Sequence, residues 1–314
     1  MVSVIIPARN RLPYLRRVLQ ALQRQQDPPP WEAVVVDDGS TDGTGQWAKA
    51  AGLRVVIHDQ AAGRARARNA GAAAARGDVL LFLDADMLAV PRILRTHARL
   101  HAAGHGVVSG SPWCWREVPL AAPLDALDAW ARPGPIPAGQ VRLATGPAPW
   151  LHFVTRAVSV AARGFPGFDP GFRAYGFEDW ELGYRLAQAG ASFVLASDGA
   201  AYHQQHPTTD RSMADVRRSY GTFLEAHPDL DVALMAAVPP WSRPGEYGRL
   251  LASVRRLPPS AAAELGAAAL AAARRWVREA VPVLAGAPVG RPSDPVFDPA
   301  AREAVWWLQR LGRA

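Results

Sequence analysis

A run of five apolar residues, Val79 to Leu83, is followed at once by Asp84-Ala85-Asp86. A short apolar run without interruption, placed after turn residues, is typical of a strand buried on both faces in the middle of a parallel sheet. Because side chains alternate along an extended chain, we expect Asp84 and Asp86 to project to the same side. Two acids at the carboxyl end of such a strand predict a ligand-binding edge, or else a polar strand end that caps the next helix.

Before this run, strand-like segments alternate with helical segments. The strand-like runs are short and rich in β-branched residues, whereas apolar residues three or four positions apart mark the helices. Four strands alternating with helices predict an α/β fold with a parallel sheet and right-handed crossovers, as in a nucleotide-binding half-domain. The predicted strands are Val2–Ile6, Ala33–Val36, Arg54–Ile57 and Val79–Leu83, and the helices are residues 12–26, 47–51 and 64–75.

Composition limits the class of protein and its partners. The 314 residues are 49% hydrophobic, which is enough for one large α/β domain with an appendage. The formal charge of +7 comes almost wholly from arginine, with Lys49 the only lysine. No interleaving of basic and aromatic residues supports a nucleic-acid partner. Cys114, the one cysteine, excludes an internal disulfide framework. With no signal peptide and no apolar run of spanning length, we expect a cytoplasmic protein, and we leave peripheral membrane contact open.

The chain is predicted to divide near residue 207. Residues 1–110 read as the nucleotide-binding half and residues 111–207 as the acceptor and catalytic half of one domain. Residues 112–149 are rich in Trp and Pro, which suits either a sugar-binding surface or a covering layer over the core. Residues 208–314 are predicted to form a helical extension, with helices at about 212–226, 260–280 and 298–311, that packs on the sheet domain or forms a homodimer.

Acids and arginines stand where the predicted strands end. Asp37 and Asp38 follow the second strand, where a carboxylate can accept a hydrogen bond from a nucleobase or ribose, or can form an Asx turn. Arg68 is the third of three alternating arginines that begin the third helix, where they suit an anion or remain solvated. Asp84 and Asp86 offer the oxygen ligands that divalent cations share with substrate phosphates.

Further along the chain, acids and imidazoles follow a glycine-rich loop. Glu178 and Asp179 begin a helix, where they are either partners of the helix dipole or, in a cleft, a source of the base that deprotonates an attacking hydroxyl. His203 and His206 follow a short strand at the same sheet edge. An imidazole added to carboxylates shifts the metal preference toward Mn²⁺.

Five segments in this order resemble the family 2 glycosyltransferases of the GT-A fold. They are Val-Ser-Val-Ile-Ile-Pro-Ala-Arg-Asn at 2–10, Val-Val-Val-Asp-Asp-Gly-Ser-Thr-Asp-Gly-Thr at 34–44, Ala-Arg-Asn-Ala-Gly at 67–71, Asp-Ala-Asp at 84–86, and Gly-Phe-Glu-Asp-Trp-Glu-Leu-Gly-Tyr-Arg-Leu at 176–186. The resemblance covers residues 1–207 and implies an enzyme with a nucleotide-sugar donor, a Mn²⁺ or Mg²⁺ cofactor and inversion at the anomeric carbon.

The resemblance also implies a role for each matching position. By position, the base pocket would be lined by Pro7, Arg9 and Asp38, with Asp37 beside them. Arg68 would help hold the nucleotide, and Asp84 would meet the ribose. Asp86 and His203 would hold the metal, with His206 as the alternative imidazole, while Asp179 would be the general base and Glu178 and Trp180 would shape the acceptor site.

Two departures refine the expected activity. Arg11 stands where many members carry an acid, which concerns base recognition. The Gln-x-x-Arg-Trp motif of processive synthases is absent, because Arg275-Trp276 has Ala272 in the glutamine position. We therefore expect transfer of a single sugar, with a UDP-sugar favoured, to a sugar or lipid-linked hydroxyl in cell-surface glycan or glycoconjugate synthesis.

Two alternatives stay open at this point. A sugar-phosphate nucleotidyltransferase also binds nucleotide on an open sheet, but it should carry a glycine-rich loop after the first strand, and residues 7–10 contain no glycine. A non-catalytic nucleotide-sugar or glycan-binding protein would use the aromatic segment at 112–149.

Overall fold

The computed structural model of the chain describes residues 1–110, 117–125, 127, 136–137, 139–207, 213–238, 240 and 244–278. The chain forms two compact units. We call the first the sheet unit, made of Met1–Thr145, Pro149–Arg173 and Glu178–Thr208. We call the second the helical unit, made of Gly146–Ala148, Ala174–Phe177 and Thr209–Ala314.

The sheet unit contains an eight-stranded sheet and a separate three-stranded sheet. Its strands are β1 (Val2–Ala8), β2 (Trp31–Asp38), β3 (Arg54–His58), β4 (Val79–Phe82), β5 (Met87–Ala89), β6 (Val107–Gly110), β7 (Glu117–Val118), β8 (Val141–Leu143), β9 (Val158–Ala161), β10 (Phe193–Ala196) and β11 (Ala201–Gln204). The large sheet has the order β3-β2-β1-β4-β9-β6-β10-β8, and the small one has the order β5-β11-β7. Strands β1 to β4 pair in parallel, whereas β9 runs antiparallel between β4 and β6.

Five helices belong to the sheet unit: α1 (Leu12–Gln23), α2 (Thr44–Ala50), α3 (Arg64–Ala74), α4 (Ile93–Ala102) and α5 (Glu178–Gln188). Helix α3 lies unusually close to the sheet, since a Cβ added at Gly71 would stand 2.5 Å from Ile5 Cγ2. Glycine and the buried alanines Ala65 and Ala67 permit this approach because they present almost no side-chain volume. The approach brings the one large buried side chain of this helix, Arg68, against the sheet edge.

The helical unit contains α6 (Met213–Ala226), α7 (Leu230–Leu234), α8 (Pro244–Val254) and α9 (Pro259–Arg278). Its core includes Tyr220, whose hydroxyl donates to Val232 O at 2.9 Å and whose ring meets Trp276 edge-on at 5.4 Å. None of the helices in the described ranges is long and apolar enough to cross a membrane. The helix predicted at 298–311 lies outside the described residues.

The α/β class, the parallel pairing of the first four strands and the helical C-terminal region are confirmed, but the path of the chain after β4 differs from the prediction. Strand β4 ends at Phe82, and the amide of Met87 donates to Asp84 O at 3.0 Å, which closes a turn. Asp84 and Asp86 therefore stand in a turn and not in an extended chain, so the alternation on which their predicted orientation rested does not apply.

The Trp- and Pro-rich segment is described only in part. Trp150 is 2% exposed and meets Tyr184 edge-on at 5.4 Å, so its ring belongs to the core and not to an exposed binding surface. Trp113, Trp115 and Trp130 lie outside the described residues, so a sugar-binding role for them stays a prediction.

A hydrogen-bonded chain of two imidazoles and a hydroxyl joins α4 to β9. His97 Nε2 lies 2.9 Å from Gly199 O, and because a carbonyl only accepts, this nitrogen carries the proton. The opposite nitrogen of the neutral ring therefore accepts from Ser159 Oγ at 2.6 Å, and His101 Nε2 donates to the same oxygen at 2.7 Å. This set of hydrogen bonds requires a neutral His97, because a protonated ring would have no nitrogen left to accept from Ser159.

The buried, neutral His97 predicts that the protein loses stability in mild acid. Burial lowers the pKa of His97 to about 4, whereas the same imidazole in the unfolded protein has a pKa of about 6.5. Between these two pH values the unfolded state binds a proton at His97 and the folded state does not. The free energy of unfolding should therefore fall as the pH drops from about 6.5 toward 4, by up to roughly 3 kcal/mol from this residue. Urea unfolding at several pH values should show a shallower dependence in His97→Gln; equal slopes in the two proteins would contradict the prediction.

Candidate functional site

A buried arginine gathers three carboxylates at the sheet edge. Arg68 is 1% exposed, and its Nη2 donates to Asp84 Oδ1 at 3.0 Å. Its Nη1 donates to Glu178 Oε1 at 3.0 Å and to Asp179 Oδ1 at 3.3 Å. The face of the Phe168 ring lies against the guanidinium at 5.4 Å. One helix, the turn after β4 and the start of α5 are thus joined by a single side chain.

The charges of this cluster do not cancel. Burial opposes the charged form of Arg68, but the carboxylates of Asp179, Asp84 and Glu178 raise its pKa above the ordinary arginine value. One guanidinium among three carboxylates leaves a net negative charge when all are ionised. Glu178 is 5% exposed, and its Oε2 has no hydrogen-bond partner within the described ranges. An unsatisfied buried oxygen is costly, so this carboxylate adds to the electrostatic strain of the cluster.

Asp179 is held at both of its oxygens. Oδ2 accepts hydrogen bonds from the amide and the hydroxyl of Thr155, both at 3.0 Å, while Oδ1 accepts from Arg68. Burial raises the pKa of Asp179 to about 6, although the Arg68 charge acts in the opposite direction. A fixed carboxylate with a pKa just below neutral is ionised at pH 7 and yet basic enough to take up a proton during a reaction.

Trp180 follows the two acids on α5 and lies half-buried. Its indole Nε1 donates to Leu151 O at 3.1 Å, and its ring meets Trp150 at 6.4 Å. The polar edge of Trp180 therefore holds the turn at Pro149–His152 in place. Its predicted role in shaping the acceptor site stays a prediction.

Asp86, His203 and His206 form a second cluster in the sheet unit, where one ligand atom from each lies within 4.8 Å of the others. The pairing of β11 with β5 produces this arrangement, because the amide of Gln204 donates to Asp86 O at 2.8 Å and His203 stands opposite Met87. His206 Nε2 is 3.1 Å from Asp86 Oδ2, and the two imidazole centroids are 4.9 Å apart.

The hydrogen bonding of His206 indicates that this cluster suits a cation. Its Nδ1 lies 2.8 Å from Pro207 O and must donate there, since a carbonyl only accepts. In a neutral ring Nε2 then directs a lone pair at the Asp86 carboxylate, which is favourable only with a proton or a metal ion between them. A backbone carbonyl that orients the far nitrogen is also how metal-binding histidines are usually held. Two imidazoles and a carboxylate suit Mn²⁺ and similar divalent ions.

Asp38, predicted to line the base pocket, has hydrogen-bond partners in the protein. Its Oδ1 accepts from His58 Nδ1 and from the amide of Ala62, both at 2.8 Å, and its Oδ2 accepts from the amide of Gly63 at 3.0 Å. Burial alone would raise the pKa of Asp38, but these hydrogen bonds hold it below the ordinary value. The carboxylate thus anchors the loop that leads into α3.

Asp37 also supports the local backbone. Its Oδ1 accepts from the amide of Ser40 at 3.0 Å, which is the Asx turn that the sequence left open. A Cβ at Gly45 would lie 2.1 Å from Asp37 Oδ2, so the start of α2 packs directly on this carboxylate. At the end of β1, Pro7 is half-buried and Arg9 is exposed.

The structure thus separates the predicted residues into three groups. One group is Arg68 with Asp84, Glu178 and Asp179, and a second is Asp86 with His203 and His206. The third group lies at the ends of β1 and β2 and consists of Pro7, Arg9, Asp37 and Asp38. Two residues of these sites were missed from the sequence. Thr155 lies in an apolar stretch at 151–160, where a single threonine gave no signal of a polar role. His58 ends the third strand, and its place at the same sheet edge could have drawn attention to it.

The sequence is similar to known glycosyltransferases. The sequence model of Glycosyl transferase family 2 matches residues 3–131. The uncharacterized glycosyltransferase YfnE of Bacillus subtilis (strain 168) is 29% identical over 307 residues, covering 81% of this chain and 78% of the relative. Validoxylamine A glucosyltransferase of Streptomyces hygroscopicus subsp. limoneus is 33% identical over 270 residues, covering 76% of this chain and 59% of the relative.

Two solved structures share the fold. S. aureus TarS 1-349 superimposes with a TM-score of 0.56 at 18% identity, covering 88% of this chain and 80% of that one. Mannosyltransferase PcManGT from Pyrobaculum calidifontis, in complex with GDP-Man and Mn²⁺, does so with a TM-score of 0.52 at 22% identity, covering 88% and 82%. The family match over residues 3–131 and the glycosyltransferase relatives support a family 2 glycosyltransferase, and the two solved structures show that the chain shares their fold.

Proposed function

We propose that the protein is an inverting, metal-dependent glycosyltransferase that moves one sugar from a nucleotide-diphosphate sugar, with a UDP-sugar favoured, to a hydroxyl acceptor. The observation that carries this proposal is the state of Asp179, a carboxylate fixed at both oxygens by Arg68 and Thr155, with its pKa raised to about 6 by burial. A binding protein has no need for such a base.

In the proposed reaction, Asp179 accepts the proton of the acceptor hydroxyl as its oxygen attacks the anomeric carbon of the donor. The new carbon–oxygen bond forms on the face opposite the leaving group, so the configuration inverts. The bond between the anomeric carbon and the diphosphate oxygen breaks, and its electron pair leaves with the nucleoside diphosphate. Arg68 and Thr155 keep the carboxylate oriented.

Asp86, His203 and His206 are proposed to hold the divalent cation. When bound, such a cation stabilises the negative charge that develops on the departing diphosphate. Asp84, held by Arg68 at the end of the neighbouring strand, is proposed to face the ribose of the donor. Pro7, Arg9, Asp37 and Asp38 are proposed to form the base pocket, Asp38 by holding the loop that borders it.

The names of similar proteins support the choice of donor. The structural neighbours include TarS in complex with UDP and with UDP-GlcNAc, and PcManGT in complex with GDP-Man and Mn²⁺. A relative over 76% of the chain is a validoxylamine A glucosyltransferase. A nucleoside diphosphate-sugar donor fits this set. The hydroxyl acceptor, sugar or lipid-linked and in cell-surface glycan or glycoconjugate synthesis, is part of the proposal.

Replacing the proposed base should abolish transfer and leave donor binding intact. In Asp179→Asn the neutral amide cannot take up the proton, so the transfer rate should fall at least about a hundredfold. A panel of UDP-, GDP- and dTDP-sugars would measure both transfer and the shift in melting temperature on binding. Asp27→Asn, a change at an exposed acid, is the matched control and should behave as the wild type. Full activity in Asp179→Asn would refute the assignment.

The acidic side of the pH profile should report Asp179. The base acts only when ionised, so kcat should decline as the pH falls through about 6. The Thr155 hydroxyl stabilises the ionised form, so Thr155→Val should raise the pKa of Asp179 and move this decline upward by about one pH unit. The pH dependence of kcat with saturating donor measures the effect. An active variant with an unmoved profile would contradict it.

Removal of the cation should stop the reaction. Transfer should be lost in EDTA and restored by MnCl₂ more effectively than by MgCl₂, because two of the three proposed ligands are imidazoles. Asp86→Asn and His206→Gln should each weaken Mn²⁺ binding about tenfold or more, as measured by the electron paramagnetic resonance of free Mn²⁺. Asp27→Asn again serves as the control. Undiminished transfer in EDTA would overturn the metal dependence.

A further inference from the structure

We propose that Arg11 couples cation binding to nucleotide binding, by pairing with Asp86 when the cation is absent and with the donor diphosphate when the cation is present. This inference rests on the proposed metal site at Asp86, His203 and His206. It assigns a function to a cationic side chain that the proposed reaction does not otherwise use.

The backbone around Arg11 is held in place by the loop after β2 and by the start of α2. Asn10 has a positive φ of 51°, and its Oδ1 accepts from the amide of Thr41 at 2.8 Å. The amide of Arg11 donates to Thr44 Oγ1 at 3.2 Å. The residue therefore leaves β1 in a fixed direction, immediately before α1 begins at Leu12.

The side chain of Arg11 reaches the metal cluster. Its Nε is 3.8 Å from Asp86 Oδ2, the same oxygen that lies 3.1 Å from His206 Nε2. The guanidinium also lies 5.7 Å from the centroid of the Tyr14 ring, and that ring meets His206 edge-on at 5.8 Å. Arg11 thus supplies a positive charge beside the carboxylate that the cation needs.

A cation and Arg11 cannot both be satisfied by Asp86. A dication bound to Asp86 cancels the attraction that holds the guanidinium and adds repulsion over a few ångströms, which weakens binding of the cation alone. The Arg11 side chain is 30% exposed and its Nη1 donates to Asn10 O at 3.3 Å, so a movement toward a ligand would break contacts at the surface and not in the core. A diphosphate carries the negative charge that a displaced guanidinium pairs with most strongly, often through two parallel hydrogen bonds.

The consequence is positive cooperativity between binding of the cation and binding of the nucleotide. Arg11 disfavours the cation by itself and favours the nucleotide once the cation is present, so each ligand should bind better with the other than alone. Because such coupling is reciprocal, it is measurable from either side. Removal of the Arg11 charge should therefore change the two affinities in opposite directions, whereas a merely structural role would lower both.

The test uses the full chain and binding measurements without turnover. MnCl₂ alone is titrated by electron paramagnetic resonance, and UDP and GDP are each titrated by calorimetry with saturating MnCl₂. We expect Arg11→Gln to bind Mn²⁺ alone about threefold to tenfold more tightly and the nucleotide about threefold to tenfold more weakly. Arg11→Lys should keep both affinities near the wild type, and Arg11→Glu should move both further than Arg11→Gln.

Arg16→Gln is the matched control, because it removes one charge from the helix that follows Arg11, at an exposed residue whose guanidinium lies over the Trp47 ring at 5.5 Å. Changes of the same sign in both affinities of Arg11→Gln, no change in either, or an equal effect in Arg16→Gln would each overturn the inference. Arg11→Met replaces Arg11→Gln should the latter fail to fold. Failure of the wild type to bind Mn²⁺ even with UDP or GDP present would instead remove the proposed metal site, and the inference with it.

Discussion

The site depends on the ion pairs of Arg68 more than on any other contact. A guanidinium that is 1% exposed is tolerated only when carboxylates surround it, and these carboxylates come from the turn after β4 and the start of α5. The glycine and alanines of α3 bring the helix close enough for this contact. The orientation of the proposed base is therefore fixed by the same packing that forms the core of the sheet unit.

Elements with a strong local pattern were predictable from the sequence. The first four strands and the helices between them carry unambiguous periodicity, and the structure places them within a few residues of the predicted bounds. The two acids after β4 show where such reasoning ends. Alternation requires an extended chain, but the hydrogen bond from the Met87 amide to Asp84 O turns the backbone, so Asp84 meets Arg68 while Asp86 meets His206. That bond depends on the tertiary path of the chain.

Partners contributed by irregular segments were beyond the sequence for the same reason. Thr155 has no neighbours that mark it, yet its amide and hydroxyl occupy one whole oxygen of Asp179. Asp38, unlike Thr155, was marked by its motif, which predicted that it lines the base pocket. In the structure its oxygens accept hydrogen bonds from His58 and from the loop before α3. A motif identifies which residues stand at an edge, and only the surrounding backbone decides what each one contacts.

The small sheet gives the cation a mechanical consequence as well as a chemical one. Its strands β5 and β11 come from distant parts of the chain, and the proposed ligands Asp86 and His203 stand on either side of their pairing. An ion bound there would act as a cross-link between segments that short strands alone hold weakly. Local opening of this region, and with it the exchange of its amide protons with solvent, would then follow the concentration of free metal in the surroundings of the enzyme.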